Sequence, residues 1–176
     1  MAEYQSVVQP FEPVYDAHST ILILGSFPSV RSREQSFYYG HPQNRFWKVL
    51  AAILQVETPV TVPAKRTMLL ENRIAVYDVI ERCEIKGSSD SSIRQAVPAD
   101  IRRMVEESAI RWIFTNGRTA GKLFRKYQAA DVEIPMTELP STSPANAAYS
   151  LERLIEIWGE EVLQVLREQS EGDEGR

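Results

Sequence analysis

Cysteine, histidine and glycine are scarce in this chain of 176 residues, which contains one cysteine, two histidines and eight glycines. The single Cys83 cannot form an intramolecular disulfide or supply the thiolates of a four-cysteine iron–sulfur or zinc site. With only His18 and His41 besides it, the sequence predicts no metal and no other cofactor. There is also no glycine-rich dinucleotide fingerprint and no phosphate-binding P-loop, so nothing supports a small-molecule or nucleotide-binding protein.

Long apolar runs are absent as well. No segment has transmembrane length, and the N-terminus lacks a basic and then hydrophobic signal arrangement, so we expect no membrane partner and a cytoplasmic location. A hydrophobic content of 43% is enough for one substantial core. We therefore predict a single domain over residues 1–168, a polar and disordered tail over residues 169–176, and a monomeric state.

Positive charge is in the minority, because the formal net charge is −4. On its face this balance argues against a nucleic-acid partner, since phosphate neutralisation drives such binding. The cations are unevenly distributed, however: residues 111–130 contain five lysines and arginines and no acid. An acidic protein can thus have a positive face, although the same cations are also typical of the solvated side of a helix.

Short apolar segments alternate with helical patterns along the chain. Strands are predicted at residues 21–24, 74–77, 110–114 and 132–135, and helices at residues 45–54, 63–72, 100–107 and 147–158, with a further helix after Gly117. The first strand is continuously apolar, which favours a parallel sheet covered by helices on both faces. Residues 1–19 are predicted to be an extended lead-in covering one sheet edge, and residues 78–95 a polar loop.

The stretch from Thr20 to Trp47, TILILGSFPSVRSREQSFYYGHPQNRFW, concentrates the candidate chemistry. Its apolar strand stops at Gly25, which is how a parallel strand delivers its carboxyl end to a binding crevice. Amide, cation and aromatic groups then crowd into residues 41–47. The aromatic pair Phe46 and Trp47 has helical spacing and is predicted to form core anchors that hold Asn44 in place.

Three segments carry a resemblance to a known family: GSFPS directly after the first strand, YYGHPQNRFWK, and LPSTSPAN at residues 139–146. Over residues 18–158 the chain resembles the uracil-DNA glycosylase superfamily, and most closely its hypoxanthine-DNA (deoxyinosine) glycosylase branch. HPxNRFW is also found in the mismatch-specific uracil/thymine branch. The resemblance implies an α/β three-layer sandwich, in which helices flank a four-stranded, mainly parallel sheet of order 2-1-3-4.

In function, the resemblance implies a monofunctional glycosylase of base-excision repair. It would hydrolyse the N-glycosidic bond of deaminated bases, chiefly hypoxanthine, in double- or single-stranded DNA after flipping the base out of the stack. Two alternatives stay open from the sequence. One is a non-catalytic nucleic-acid-binding module with the same fold, and the other is a weak uracil or mismatch-specific glycosylase.

Asn44 is the predicted catalytic residue. Hypoxanthine presents O6 as an acceptor and N1–H as a donor, and one fixed carboxamide can donate to the first and accept from the second. A side-chain amide can also rotate to satisfy adenine, so discrimination depends on neighbours that fix its orientation. The alternative is structural, with Asn44 as the N-cap of the helix that begins near Arg45.

Around Asn44, the resemblance implies a base-binding pocket. Phe27 stands where several relatives have a polar Asn or Asp that directs water, and a phenyl ring can stack on a purine but cannot polarise water, so activity on uracil should be poor. Simple loop packing is the alternative for Phe27. His41 either bonds to phosphate or base, or is a rigid turn residue before Pro42. The predicted base-binding set is Gly25, Ser26, Phe27, Pro28, Tyr39, His41 and Asn116.

The LPSTSPAN segment has two prolines that bracket hydroxyl-bearing residues, and such a rigid loop suits insertion into a DNA minor groove, as the family's second motif does. The alternative is a helix entry with Asn146 or Ser143 as the N-cap. The predicted DNA-binding set is Ser141, Thr142, Ser143, Pro144, Asn146, Arg118 and Lys122.

Overall fold

Two sheets organise the chain, one parallel and one antiparallel. The computed structural model describes residues 3–27, 37–87 and 89–174. Pro28, which the sequence predicts to bind the base, lies outside these residues. The strands are β1 (Gln5–Val8), β2 (Ile21–Gly25), β3 (Ile74–Asp78), β4 (Ile80–Ile85), β5 (Arg94–Pro98), β6 (Trp112–Asn116) and β7 (Met136–Leu139).

Side-chain caps fix where several helices begin. Thr61 Oγ1 accepts from the Ala64 N–H at 3.2 Å, and Asp100 Oδ1 accepts from the Arg103 N–H at 3.1 Å, each satisfying a donor that has no partner within its helix. The helices are α1 (Phe46–Leu54), α2 (Val62–Glu71), α3 (Ile101–Glu106), α4 (Arg118–Tyr127) and α5 (Leu151–Glu174), with a 3₁₀ turn at Asp90–Ser92.

The parallel sheet has the order β3-β2-β6-β7. Leu22 is paired with Ala75 on one side and Ile113 on the other, and Phe114 is paired with Thr137. In the numbering of the predicted strands this order is 2-1-3-4, so the predicted topology is confirmed. It brings the carboxyl ends of β2, β6 and β7 to one edge of the sheet.

The side chains of β2 alternate between two buried layers, as expected for a strand covered on both faces. Ile21 and Ile23 belong to a core cluster with α1, α2 and α5, whereas Leu22 and Leu24 belong to a second cluster with α3, α4 and the antiparallel sheet. All four side chains are fully buried. The three-layer sandwich predicted through the resemblance is thereby confirmed.

The fourth strand was predicted too early in the chain. It spans Met136–Leu139 instead of residues 132–135, and Pro135 contributes only its carbonyl, which accepts from the Ile113 N–H at 2.9 Å. Proline has no N–H to donate, so a regular ladder begins only after it. Val132 is 5% exposed and packs in the second core cluster without being part of a strand.

Residues 78–95 are not the polar loop that the sequence predicts. They contain β4 and the start of β5, which form an antiparallel sheet with β1 in the order β1-β4-β5. Within β4, Ile80, Cys83 and Ile85 are buried in the second cluster. The predicted role of the lead-in is confirmed, because Val14 bridges to Val76 on the outer edge of β3.

The last helix begins later and ends later than predicted. It spans Leu151–Glu174, and Ser150 Oγ accepts from the Arg153 N–H at 3.1 Å, so Ser150 caps it rather than Ser143 or Asn146. The division into a domain over residues 1–168 and a disordered tail stays a prediction. Within the described ranges no helix combines the length and the apolar composition needed to cross a bilayer.

Candidate active site

An aromatic cluster holds the HPQNRFW turn at the carboxyl end of the sheet. The Tyr39 ring stacks on Phe46 with centroids 4.0 Å apart, and Phe46 meets Trp158 edge-on at 6.1 Å. Trp47 stacks on Phe37 at 5.9 Å. Phe46 and Trp47 are buried, as predicted for core anchors. These ring contacts fix the backbone on both sides of Asn44.

Asn44 lies in the middle of this turn and is half-buried. Its N–H donates to the His41 carbonyl at 2.9 Å, and its Oδ1 accepts from the Phe46 N–H at 3.0 Å. The second bond caps a backbone donor at the start of α1, but Asn44 is not the N-cap that the structural alternative predicts, because α1 begins at Phe46 and its N-cap is Arg45. The capping bond uses only the oxygen of the carboxamide, which leaves the Nδ2 amino group for another role.

A chain of hydrogen bonds joins Asn44 to the end of β6; we call Asn116, Thr142 and Asn44 the amide relay. The Thr142 N–H donates to Asn116 Oδ1 at 3.0 Å, and Asn116 Nδ2 donates to Thr142 Oγ1 at 3.0 Å. Thr142 Oγ1 then donates to Asn44 Oδ1 at 2.9 Å. Thr142 is 0% exposed, so its hydroxyl cannot contact DNA in this conformation. Asn116 likewise directs its amide into the protein.

Arg45 ties the same loop to α1. Its guanidinium donates to the carbonyls of Ser143 at 2.9 Å and Asn146 at 3.1 Å, and also to the carbonyl of Tyr149. The Arg45 N–H and Nε both donate to the Thr142 carbonyl, at 3.1 and 3.4 Å. Arg45 was not among the site residues predicted from the sequence. The sequence did contain a signal for this role. An arginine in a turn motif has five side-chain N–H donors, and α1 alone does not provide acceptors for all of them.

The LPSTSPAN loop is itself held by hydrogen bonds and is half-exposed. Trp158 Nε1 donates to the Pro140 carbonyl at 2.9 Å, and Asn146 Nδ2 donates to the Ser141 carbonyl at 3.0 Å. The Ser143 N–H donates to Ser141 Oγ at 3.1 Å. Pro144 is exposed at the tip. Of the predicted DNA-binding set, Pro144 and the half-buried Ser141, Ser143 and Asn146 are thus in position to meet a ligand.

Beside this loop lies a groove of about 600 Å³. Its lining includes Asn116, Arg118, Ser141, Ser143 and Asn146, which brings together five of the predicted site residues. Gly117 also lines the groove; its φ is +98°, and a Cβ there would approach Ser141 Cβ to 3.0 Å. The exposed Lys122 lies one turn further along α4 and does not line the groove.

The residues predicted to bind the base near the end of β2 are packed more tightly against the protein than predicted. Phe27 is 7% exposed and packs in the second core cluster, so its stacking on a base stays a prediction that this placement does not support. His41 acts as a turn residue, because its Nδ1 accepts from the Gln43 N–H at 3.1 Å. In a neutral ring that bond places the proton on Nε2. Ser26 is 8% exposed beside Phe27.

Gly25 is packed against a buried carboxylate. Asp78 is 3% exposed, and its Oδ2 accepts a hydrogen bond from Gln9 Nε2. Burial of the Tyr38 hydroxyl raises the pKa of Tyr38, and the negative charge of Asp78 raises it further. A Cβ on Gly25 would lie 2.5 Å from Asp78 Oδ1 and 2.9 Å from the Tyr39 hydroxyl oxygen. The space that a side chain at Gly25 would need is thus filled by protein atoms.

This crowding leads to a stability prediction for Gly25→Ala. We expect the variant to lose about 1–3 kcal/mol of unfolding free energy in urea denaturation, because a fixed carboxylate must move to admit the methyl group. Gly159→Ala is the matched control. Its Cβ would meet Ile53 Cγ2 at an ordinary 3.6 Å, and alanine favours the helix interior, so the control should be as stable as the parent or more stable. Equal stabilities in the two variants would contradict the packing at Gly25.

Within the described ranges, no group of three or more His, Cys, Asp or Glu side chains is arranged to hold a metal ion. Within the amide relay, the Nδ2 amino group of Asn44 has no hydrogen-bond partner among the described residues, because both side-chain hydrogen bonds of Asn44 use its oxygen.

Residues 12–160 match the uracil DNA glycosylase superfamily. A hypoxanthine DNA glycosylase of Methanosarcina acetivorans is 35% identical over 147 residues, which cover 81% of this chain and 90% of the relative. A hypoxanthine DNA glycosylase of Methanosarcina barkeri is 36% identical over 87 residues, covering 49% of this chain and 55% of the relative. A solution NMR structure of a candidate uracil DNA glycosylase from M. acetivorans superimposes with a TM-score of 0.77 at 31% identity, covering 90% of this chain and 99% of that one.

Proposed function

Because the chain belongs to the uracil DNA glycosylase superfamily, we propose that it removes hypoxanthine from DNA by hydrolysing the bond between the base and deoxyribose. The observation that carries the proposal is the Asn44 carboxamide, whose oxygen is engaged twice and whose amino group faces no partner among the described residues. A hydrogen-bond donor held in this way at the carboxyl edge of a parallel sheet is suited to a ligand acceptor.

In the proposed reaction the base departs with the electrons of the glycosidic bond, and negative charge develops on the leaving purine. The Asn44 amino group would donate to O6 of hypoxanthine and stabilise that charge in the transition state. Water attacks C1′ of the sugar as it becomes electron-poor, so that a C1′–O bond forms while the C1′–N9 bond breaks, and the proton that the water loses neutralises the departing purine. The target base must leave the helical stack to reach Asn44, since a stacked base could not enter a site at the end of the strands.

The DNA strand itself would run along the LPSTSPAN loop and the neighbouring groove. Pro144 at the tip, the half-buried Ser143 and the exposed Arg118 are the proposed contacts, with Lys122 extending the positive surface along α4. Arg118 and Lys122 form no ion pair with any described residue, whereas Arg125 on the same helix pairs with Glu138 at 3.2 Å. Their charge is therefore available for phosphate.

A panel of duplexes with one lesion each tests the proposal. With EDTA present, an inosine duplex should be converted to an abasic, alkali-sensitive product, while uracil and xanthine duplexes react more slowly and an undamaged duplex does not react. Tight binding to the inosine duplex without product over a long incubation would reject catalysis and leave a binding module. Monomeric state, strand preference and cytoplasmic location stay predictions.

Salt dependence tests the proposed phosphate contact. Arg118→Ala should weaken binding to all duplexes alike, and the slope of log K against log salt should fall in magnitude by about 0.9, the contribution of one phosphate. Arg102→Ala removes the same charge from an exposed residue that pairs with Glu106 on α3, so it serves as the control and should leave the slope unchanged. Equal slopes in the two variants would remove Arg118 from the interface.

A further inference from the structure

We propose that Thr142 and Asn116 are positioning residues that decide which end of the Asn44 carboxamide faces the base, an inference that rests on the proposed function. The starting point is the Thr142 backbone N–H, which can only donate. It lies 3.0 Å from one terminal atom of the Asn116 amide, so that atom must be the oxygen Oδ1. The other terminal atom is then Nδ2, which has no choice but to donate to Thr142 Oγ1 at 3.0 Å.

The orientation of the Asn116 amide in turn determines which way the Thr142 hydroxyl donates. Thr142 Oγ1 accepts from Asn116, so its one proton is left for Asn44 Oδ1, 2.9 Å away. The side chain is 0% exposed, and water cannot compete for the proton. Asn44 Oδ1 also accepts from the Phe46 N–H, so both of its lone pairs are occupied by donors. A rotated Asn44 amide would set its amino group against two donors at once.

The consequence is an Asn44 side chain that can donate to the base but cannot accept from it. The sequence predicts that Asn44 both donates to O6 and accepts from N1–H, but an oxygen with two bonds inside the protein leaves only the first of these roles. Hypoxanthine offers O6 as an acceptor at that position, whereas adenine offers an amino group there, and two donors would oppose each other. The amide relay would thus select deaminated purine against the normal base through hydrogen bonds that Asn116 and Thr142 make inside the protein.

Thr142→Val removes the hydroxyl and keeps the shape of the side chain. We expect a single-turnover rate on an inosine duplex about 10- to 100-fold lower, with little change in the DNA concentration needed for half-saturation, and a lower ratio of inosine to adenosine cleavage. Thr142→Ser restores the donor and should stay within about threefold of the parent. Thr67→Val makes the same change on an exposed face of α2 and should have no effect.

Asn116→Asp provides a test that a merely structural role would not pass. A carboxylate accepts from the Thr142 N–H and from the Thr142 hydroxyl as well, so the proton turns away from Asn44. We therefore expect aspartate to lower the rate more than Asn116→Ala, although aspartate is the closer match in shape. In the Thr142→Val background the aspartate should have little further effect, since no hydroxyl remains to be reversed.

The outcomes separate this inference from the proposed function. An inactive parent protein would reject the proposed function and the inference with it. An active parent, with Thr142→Val at the parental rate and Asn116→Asp no worse than Asn116→Ala, would overturn the inference alone. A penalty from aspartate that persists unchanged without the hydroxyl would indicate repulsion of DNA phosphate and also count against it. If urea denaturation finds Thr142→Val unfolded, the two Asn116 variants decide.

Discussion

Asn44→Asp should lose glycosylase activity and keep its fold. The carboxylate accepts hydrogen bonds as well as the amide oxygen does, so the Phe46 N–H and the Thr142 hydroxyl keep their partner, and the unfolding free energy should change by no more than about 1 kcal/mol. The amino group is gone, however, and a negative charge faces the departing base. We expect the single-turnover rate on inosine to fall at least about 10²–10³-fold, the range found when a transition-state donor is removed.

Two comparisons make the Asn44 result interpretable. Asn44→Ala removes the acceptor as well, leaving two donors without it, and should therefore cost about 1–3 kcal/mol of stability in addition to activity. Gln43→Glu adds the same charge at the exposed neighbouring position, so its effect measures simple repulsion of DNA phosphate and should be a few-fold at most. If Asn44→Asp retained more than a tenth of the parental rate, Asn44 would not be the donor.

Three strands of the parallel sheet could be predicted from the sequence because they are short, mostly apolar and mostly buried, whereas β7 is partly exposed. For Ile21–Gly25 every residue is buried, which is the condition under which continuous hydrophobicity identifies a strand. The order of the strands came from the resemblance and not from periodicity. Pattern alone placed β7 on the wrong side of Pro135, since Val132 is as apolar as a strand residue and only the missing N–H of proline distinguishes the two segments.

The antiparallel sheet escaped prediction for a different reason. β4 carries buried apolar residues at Ile80, Cys83 and Ile85 among charged ones, and its pairing with β5 is irregular between Ile80 and Arg82 and again between Arg82 and Glu84. Irregular pairing of this kind breaks the alternation by which a half-buried strand is recognised. The partner strand β1 lies about 75 residues earlier in the chain, a distance that no local pattern spans.

The candidate site divides in the same way. Asn44 was identifiable from its motif, and its surroundings were not. Thr142 and Asn116 are each separated from Asn44 by more than 70 residues, and both were predicted to contact the ligand because polar residues in a binding motif are expected to do so. Only the three-dimensional arrangement reveals that their hydrogen bonds are turned inward, toward another side chain of the same protein.

Arg45→Lys should be nearly as damaging as Arg45→Ala, although lysine keeps the charge. The terminal nitrogens of the Arg45 guanidinium donate to three carbonyls around the LPSTSPAN loop, and its Nε donates to a fourth. The single ammonium group of lysine cannot reach all four. We expect alanine to lower the unfolding free energy by roughly 2–4 kcal/mol and lysine to recover less than half of that loss. Urea denaturation measures both.

The local signature of the Arg45 variants is more informative than their global stability. Amide hydrogen exchange should accelerate in residues 139–149, whose carbonyls lose their donors, well before it accelerates in the fully buried β2. Glycosylase activity should fall with loop order, because the Thr142 carbonyl held by Arg45 belongs to the same residue that supplies a hydroxyl to Asn44. Arg102→Ala, which breaks only an exposed ion pair with Glu106, should cost less than about 1 kcal/mol and leave the loop protected. If lysine at position 45 restored both the exchange protection and the activity, charge alone would hold the loop and the fork geometry of arginine would be dispensable.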